Sequence, residues 1–126
     1  KNNGESLLNL IQKGYIKSAH DVSLGGIIIA VSKMSIKGNK SIKFNKSKNL
    51  INEIDYLFAE DQGRYILEIN PKDLKEVSKI LDQNSVHHEE LGIIIEKDMI
   101  INQKTKVTID ELKSYNSNWL TNFMRA

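Results

Sequence analysis

The sequence has no cysteine, which excludes a disulfide framework and a thiolate-bound metal and permits a reducing compartment. It lacks a dominant charge: 18 basic against 16 acidic residues leave +2 at pH 7, too weak a field to select nucleic acid or an anionic membrane by itself. A small molecule or another protein is the better partner class. Long apolar runs are missing as well. The longest, Ile27 to Val31, falls far short of the roughly 20 residues a bilayer requires, so no membrane segment is expected and the cytoplasm is the default location. There is no initiating methionine, and the opening Lys1-Asn2-Asn3-Gly4 is not a targeting pattern. The expectation is a piece of a longer chain, with residues 1–126 forming one domain. Internal repeats, a Gly-rich P-loop, a dinucleotide fingerprint and a nucleophile elbow are all absent.

What is present is an alternation of helix and strand signals. Leu7, Leu8 and Ile11 recur at helical spacing before Gly14, a left-handed cap. Tyr15 to Val22 suits a short strand. Ser23 is placed to cap a helix from Leu24 to Lys37, with Leu24, Ile27, Ile28, Val31 and Met34 in one stripe and Gly38 at its end. A short strand around Ile42 and Phe44 follows within a polar stretch. Asn49 to Phe58 reads as a helix, and Tyr65 to Ile69 alternates as a strand with Tyr65, Leu67 and Ile69 on one face. Asn70 caps a helix beginning at Pro71, and Leu74, Val77, Ile80 and Leu81 face inward. Glu90 to Glu96 and Asp98 to Asn102 read as a hairpin across Lys97-Asp98, with a third strand over Lys106 to Ile109. Thr108 and Glu111 form a capping box for a short last helix that places Leu112, Tyr115 and Trp119 on one side. The expected class is α/β or α+β: a mixed, largely antiparallel sheet covered by helices.

Two segments carry candidate chemistry. In His20-Asp21-Val22-Ser23-Leu24-Gly25-Gly26, a strand ends just before a helix N-terminus with two glycines, a turn that exposes backbone amides to a phosphate or carboxylate. The competing reading makes the glycines a close-packing device and Ser23 a plain cap. His20 and Asp21 adjoin on a strand, so their side chains are expected on opposite faces rather than as a direct dyad. In Phe58 to Tyr65, Glu60, Asp61, Gln62 and Arg64 crowd into a turn. Arg64 could grip a phosphate and Glu60 or Asp61 could hold a metal-nucleotide, or the group could simply be a local ion pair that fixes the loop. His87-His88-Glu89-Glu90 reads as a solvated loop, because adjacent residues do not converge on one ion. The lysines from Lys37 to Lys48 have only Phe44 among them for stacking and also read as solvated.

Ser18-Ala19-His20-Asp21-Val22-Ser23-Leu24-Gly25-Gly26 followed by Leu57-Phe58-Ala59-Glu60-Asp61-Gln62-Gly63-Arg64-Tyr65 resembles the phosphoribosylformylglycinamidine synthase subunit II family, in its C-terminal domain of the aminoimidazole ribonucleotide synthetase-related type. The likeness extends over nearly the whole chain, through Leu91-Gly92-Ile93, Asp110-Glu111-Leu112 and Trp119. Where this sequence has Leu24 the family usually has an aspartate, and where it has Ala59 a glycine; Leu24 brings no acceptor to the helix start.

The resemblance implies an enzyme of two similar halves, each pairing an N-terminal domain that supplies most ATP contacts with a C-terminal domain like this one. It implies that ATP, with Mg2+, phosphorylates the amide oxygen of formylglycinamide ribonucleotide, and that ammonia released from glutamine then displaces phosphate. A glutaminase, as a subunit or a fused domain, and a small bridging subunit are the implied partners. The family's main catalytic histidine and metal carboxylates fall outside this stretch, so no catalytic or metal residue is expected here and the fragment alone is expected to be inactive. Its implied role is scaffold and one wall of a cleft, with the second, degenerate nucleotide cleft as the candidate. His20, Asp21, Ser23, Gly25 and Gly26 are then the candidate phosphate-facing turn, and Glu60, Asp61, Gln62 and Arg64 the opposing loop. Selenophosphate synthetase, thiamine-monophosphate kinase and a hydrogenase-maturation protein share the implied fold with a different glycine motif. A domain that only docks its missing half is the non-enzymatic alternative.

Overall fold

In the computed structural model, which describes residues 2–45, 53–101 and 105–125, the first elements are α1 (Asn2–Gln12), β1 (Ile16–Asp21), α2 (Gly26–Gly38) and β2 (Ser41–Phe44). There follow α3 (Glu53–Phe58), β3 (Tyr65–Ile69), a 3-10 turn (Pro71–Asp73), α4 (Leu74–Gln83), β4 (Gly92–Ile95), β5 (Met99–Ile100), β6 (Lys106–Val107) and α5 (Ile109–Arg125). They make two compact units, Lys1–Ala30 with Ile54–Glu90 and Val31–Glu53 with Leu91–Ala126.

In the first unit, β1 and β3 form an antiparallel ribbon running from Ile16↔Ile69 to Asp21↔Tyr65. Helices α1 and α4 cover it. Leu10, Val77, Ile80 and Leu81 are the buried centre, and Tyr15, Ile16, Leu67, Ile69 and Val86 pack against them. The expected apolar set on α1 is displaced: Leu8 and Ile11 are exposed, while Leu10 is sealed. Ser6 lies one turn before Leu10 on the same side, and its buried Oγ accepts a 3.1 Å hydrogen bond from Asn84 Nδ2. Gly14 ends α1 at φ +74°, the left-handed conformation expected of it.

The start of α4 differs from the expected cap. Asn70 makes no side-chain cap bond; its carbonyl instead accepts from the Asp73 amide at 3.0 Å. A 3-10 turn at a helix start satisfies its early amides through such tighter bonds, which leaves the Asn70 side chain nothing to cap.

In the second unit the strand order is β4-β2-β5-β6. The expected β4–β5 hairpin is therefore not formed, because β2 lies between its two strands, antiparallel to β4 and parallel to β5. That pairing joins segments far apart in sequence, which local alternation does not encode. Close strand contact at Gly92 is part of the arrangement: a Cβ there would stand 2.3 Å from the Lys43 carbonyl oxygen. Val31, Phe44, Met99 and Ile109 are buried in this unit. Pairing is antiparallel except between β2 and β5, so the class is mixed α/β with largely antiparallel strands. The strands divide into two sheets, of two and four strands, among the described residues.

Helix α5 is 17 residues long, not the short helix expected, and Tyr115 is exposed. The Trp119 side chain, the residues from Asn49 to Asn52, Lys46 to Lys48, and Asn102 lie outside the described residues. The capping box is formed. Glu111 N donates to Thr108 Oγ1 at 3.1 Å, and Thr108 N donates to Glu111 Oε2 at 2.8 Å.

The backbone bond from Thr108, then the bond from its hydroxyl, holds the Glu111 carboxyl below the usual carboxylate range. A depressed folded value adds stability above the unfolded value of about 4.3 and loses it as pH falls through the folded value. Acidification below about pH 4 is therefore expected to loosen the first turn of α5, read as faster amide exchange at Glu111 and Leu112. Glu111→Gln removes that acid step. No helix among the described residues is long and apolar enough to cross a membrane.

Candidate functional site

Antiparallel pairing of Asp21 with Tyr65 decides which loops meet. The residue after Asp21 must face the residue before Tyr65, and Val22 N does donate to the Arg64 carbonyl at 2.9 Å. The turn after β1 and the loop before β3 consequently share an open groove of about 410 Å³. Asp21, Ser23, Glu60, Gln62 and Arg64 line it, with Tyr65 at the ribbon end and Leu24 at the rim. Leu24 is 79% exposed, which removes it from the buried stripe expected of α2; Ile27, Ile28 and Val31 keep their places in the core.

The helix begins at Gly26, three residues after Ser23, so the Ser23 side chain is not at the cap position. Ser23 contributes its carbonyl, which accepts from the Gly26 amide at 3.0 Å. The reason for the late start is conformational. Gly25 and Gly26 take φ +82° and +70°, outside the helical range but open to glycine. Gly26 also lies where α3 ends: a Cβ on it would stand 2.6 Å from the Leu57 carbonyl oxygen and 2.6 Å from the Phe58 carbonyl carbon.

The amide of Gly25 donates to Glu60 Oε1 at 2.8 Å. Two amides expected to face an anion are thus engaged within the chain, Gly25 by a carboxylate and Gly26 by a carbonyl. Glu60 already supplies negative charge at this helix mouth, where the macrodipole favours it.

His20 and Asp21 come closer than opposite strand faces imply. His20 Nδ1 lies 2.6 Å from the Asp21 carbonyl oxygen and 3.5 Å from Asp21 Oδ1. A carbonyl only accepts, so Nδ1 is the donor in this contact. Burial alternates along β1 through His20 and Asp21, and the short contact is to the Asp21 backbone carbonyl rather than to its side chain.

Arg64 Nη1 pairs with Asp61 Oδ2 at 3.0 Å, the local ion pair that was one of the two readings of this loop. Of the nine candidates, His20, Gly25, Gly26 and Asp61 do not line the groove, and each supports a neighbour that was also a candidate or packs a helix end. Sequence reasoning missed Tyr56. Its hydroxyl donates to Glu89 Oε1, and Arg64 Cζ lies 5.5 Å from its ring centroid. Burial first, and the Glu89 hydrogen bond second, push the Tyr56 hydroxyl above its ordinary range. No local signal marks this contact, because Tyr56, Arg64 and Glu89 come from three separate segments.

In the tetrad His87 to Glu90, His88 Nδ1 donates to the Val86 carbonyl at 3.1 Å while Glu89 turns to Tyr56. Among the described residues no three His, Asp or Glu side chains gather as metal ligands.

The family description "AIR synthase related protein, C-terminal domain" matches residues 2–103. The phosphoribosylformylglycinamidine synthase subunit PurL of Pelagibacter ubique is 60% identical over 98% of this chain. The chain spans 17% of the length of that relative. Among solved structures, Thermotoga maritima PurL complexed with FGAR matches with a TM-score of 0.76 and 18% identity, over 88% of this chain and 20% of that one. The same protein complexed with ATP matches with a TM-score of 0.74 and 18% identity, over 88% of this chain and 21% of that one. At that identity the two structures establish the fold alone.

Proposed function

The chain belongs to the AIR synthase related protein family, as a C-terminal domain of that family, and from that premise we propose that it is the C-terminal domain of a phosphoribosylformylglycinamidine synthase. The observation that carries the reading is the 60% identity along 98% of the chain to the Pelagibacter ubique subunit. The whole enzyme would convert formylglycinamide ribonucleotide to the amidine in purine biosynthesis, in the cytoplasm. It would use ATP with Mg2+ and ammonia released from glutamine, and would work with a glutaminase, a small bridging subunit and the remaining domains of its own chain. In that reaction ATP activates the amide oxygen, and ammonia replaces it as phosphate departs.

Within this chain the groove is the proposed ligand wall. It holds no ready-made carboxylate cage for magnesium: among the described residues no three His, Asp or Glu side chains gather as metal ligands, and Glu60 already gives one oxygen to the Gly25 amide. Nor is it a phosphate cradle of bare amides. What it offers is one guanidinium, Arg64, with a hydroxyl, an amide side chain and two carboxylates that can accept from hydroxyls, Ser23, Gln62, Asp21 and Glu60. That set suits a phosphoryl oxygen next to sugar hydroxyls. Two of the proposed substrates, ATP and formylglycinamide ribonucleotide, are ribonucleotides. The residues here would bind and orient, while bond making falls to the rest of the enzyme.

Grafting this chain in place of the matching segment of the Pelagibacter ubique subunit tests the assignment. The chimera, assayed with its glutaminase partner, ATP, glutamine and formylglycinamide ribonucleotide, is expected to turn over. A folded chimera that assembles but makes no amidine contradicts the proposal.

A further inference from the structure

Arg64 is the one basic side chain among the described residues that line the groove, and 28% of it is exposed. A long, flexible cation at a mouth open to water would spread over many rotamers unless it were held. Here it is held from two sides. Asp61 takes Nη1 at 3.0 Å, and the Tyr56 ring lies against the guanidinium at 5.5 Å, within the range of a cation–π contact.

The ring is itself fastened. Tyr56 sits on α3 and donates its hydroxyl to Glu89, beyond the end of α4. Asp61 and Tyr56 thus meet the guanidinium directly, and Glu89, from a segment distant in sequence, fastens Tyr56. Asp61 uses only part of the fork of N–H donors, so a ligand can share the rest.

We propose that Tyr56, locked by Glu89, is a positioning residue that holds Arg64 in the pose in which it meets a phosphoryl oxygen of a ribonucleotide in the groove. The inference rests on the reading of the groove as a ligand wall.

The test uses the full-length synthase carrying this segment, with ATP and formylglycinamide ribonucleotide varied in turn. KM, kcat and thermal midpoint are measured for Arg64→Ala, Tyr56→Leu, Tyr56→Phe and the Arg64→Ala/Tyr56→Leu pair. Arg64→Ala and Tyr56→Leu are each expected to raise KM for the same substrate about tenfold with kcat little changed. The pair should be no worse than Arg64→Ala alone, because both changes remove one interaction. Tyr56→Phe, which keeps the ring and releases Glu89, should fall between parent and Tyr56→Leu.

If Arg64→Ala raises KM and Tyr56→Leu does not, or if the two losses add, the positioning role is overturned and the groove stands. If neither changes KM for either substrate, the reading of the groove fails and takes the inference with it. Should Tyr56→Leu not fold, Tyr56→Phe and Glu89→Ala, which each remove the hydroxyl–Glu89 bond, carry the comparison, and parental KM in both overturns the proposal.

Discussion

Replacing Gly26 with alanine is expected to cost about 2–5 kcal/mol of folding stability, read from denaturant unfolding. Two separate penalties combine. The first is conformational: at φ +70° an L side chain meets its own backbone, at about 1–2 kcal/mol. The second is steric, because the added Cβ would stand 2.6 Å from backbone atoms of Leu57 and Phe58. Backbone at a helix end does not swing aside as a side chain tip does, so α2 and α3 must separate, at about 1–3 kcal/mol. Gly63→Ala is the control. Gly63 has φ +75° but nothing within 4 Å of the added carbon, so only the conformational penalty of about 1–2 kcal/mol applies. Equal losses in the two variants would mean that α2 and α3 do not meet closely.

The Gly26 variant also bears on the groove. Gly26 follows the residue whose amide holds Glu60, and Glu60 is part of the lining. Spreading α2 from α3 therefore moves one wall relative to the other.

Leu10→Ala is the second large loss, about 2–5 kcal/mol. Leu10 is fully buried and packs with Val77, Ile80 and Leu81 under the ribbon. Removing its side chain opens a cavity between α1 and α4 that rigid neighbours fill only in part. Ile11→Ala, one residue on, is expected to stay within about 0.5 kcal/mol, since Ile11 is 49% exposed. A comparable loss at both positions would put the buried face of α1 elsewhere.

That pair shows where sequence reading stops. Periodicity located α1, but Leu7, Leu8 and Ile11 were as good a stripe on paper as one through Leu10, and only packing against α4 selects between them. Where a side chain chemistry is local, the sequence was more informative. The Thr108–Glu111 box forms because both partners lie within one turn. The strand Tyr65–Ile69 falls where alternation placed it, and Gly38 ends α2 as expected. The hairpin over Lys97-Asp98 failed for the opposite reason: β2, some fifty residues earlier in sequence, takes the place between β4 and β5, and no local pattern carries that information.

The candidate site divides along the same line. The two motifs that meet at the groove were legible because each concentrates polar residues and glycine beside a strand end. Their internal bonding was not. Glu60 on the Gly25 amide spans the gap between the motifs, and it turns an expected anion site into one already occupied by the chain's own carboxylate. Tyr56 and Glu89 carried no signal at all, one lying unremarked within an expected helix and the other in a stretch read as solvated loop.

Everything functional here depends on ligand reaching the place where the end of β1 and the start of β3 come together. Hydrogen exchange of the full-length synthase, followed by mass spectrometry with and without saturating formylglycinamide ribonucleotide or ATP, measures this directly. Slower exchange in peptides covering residues 20–26 and 59–65, with either ligand, is the predicted outcome. Slowing confined to other parts of the enzyme, with both peptides unchanged under both ligands, would contradict it.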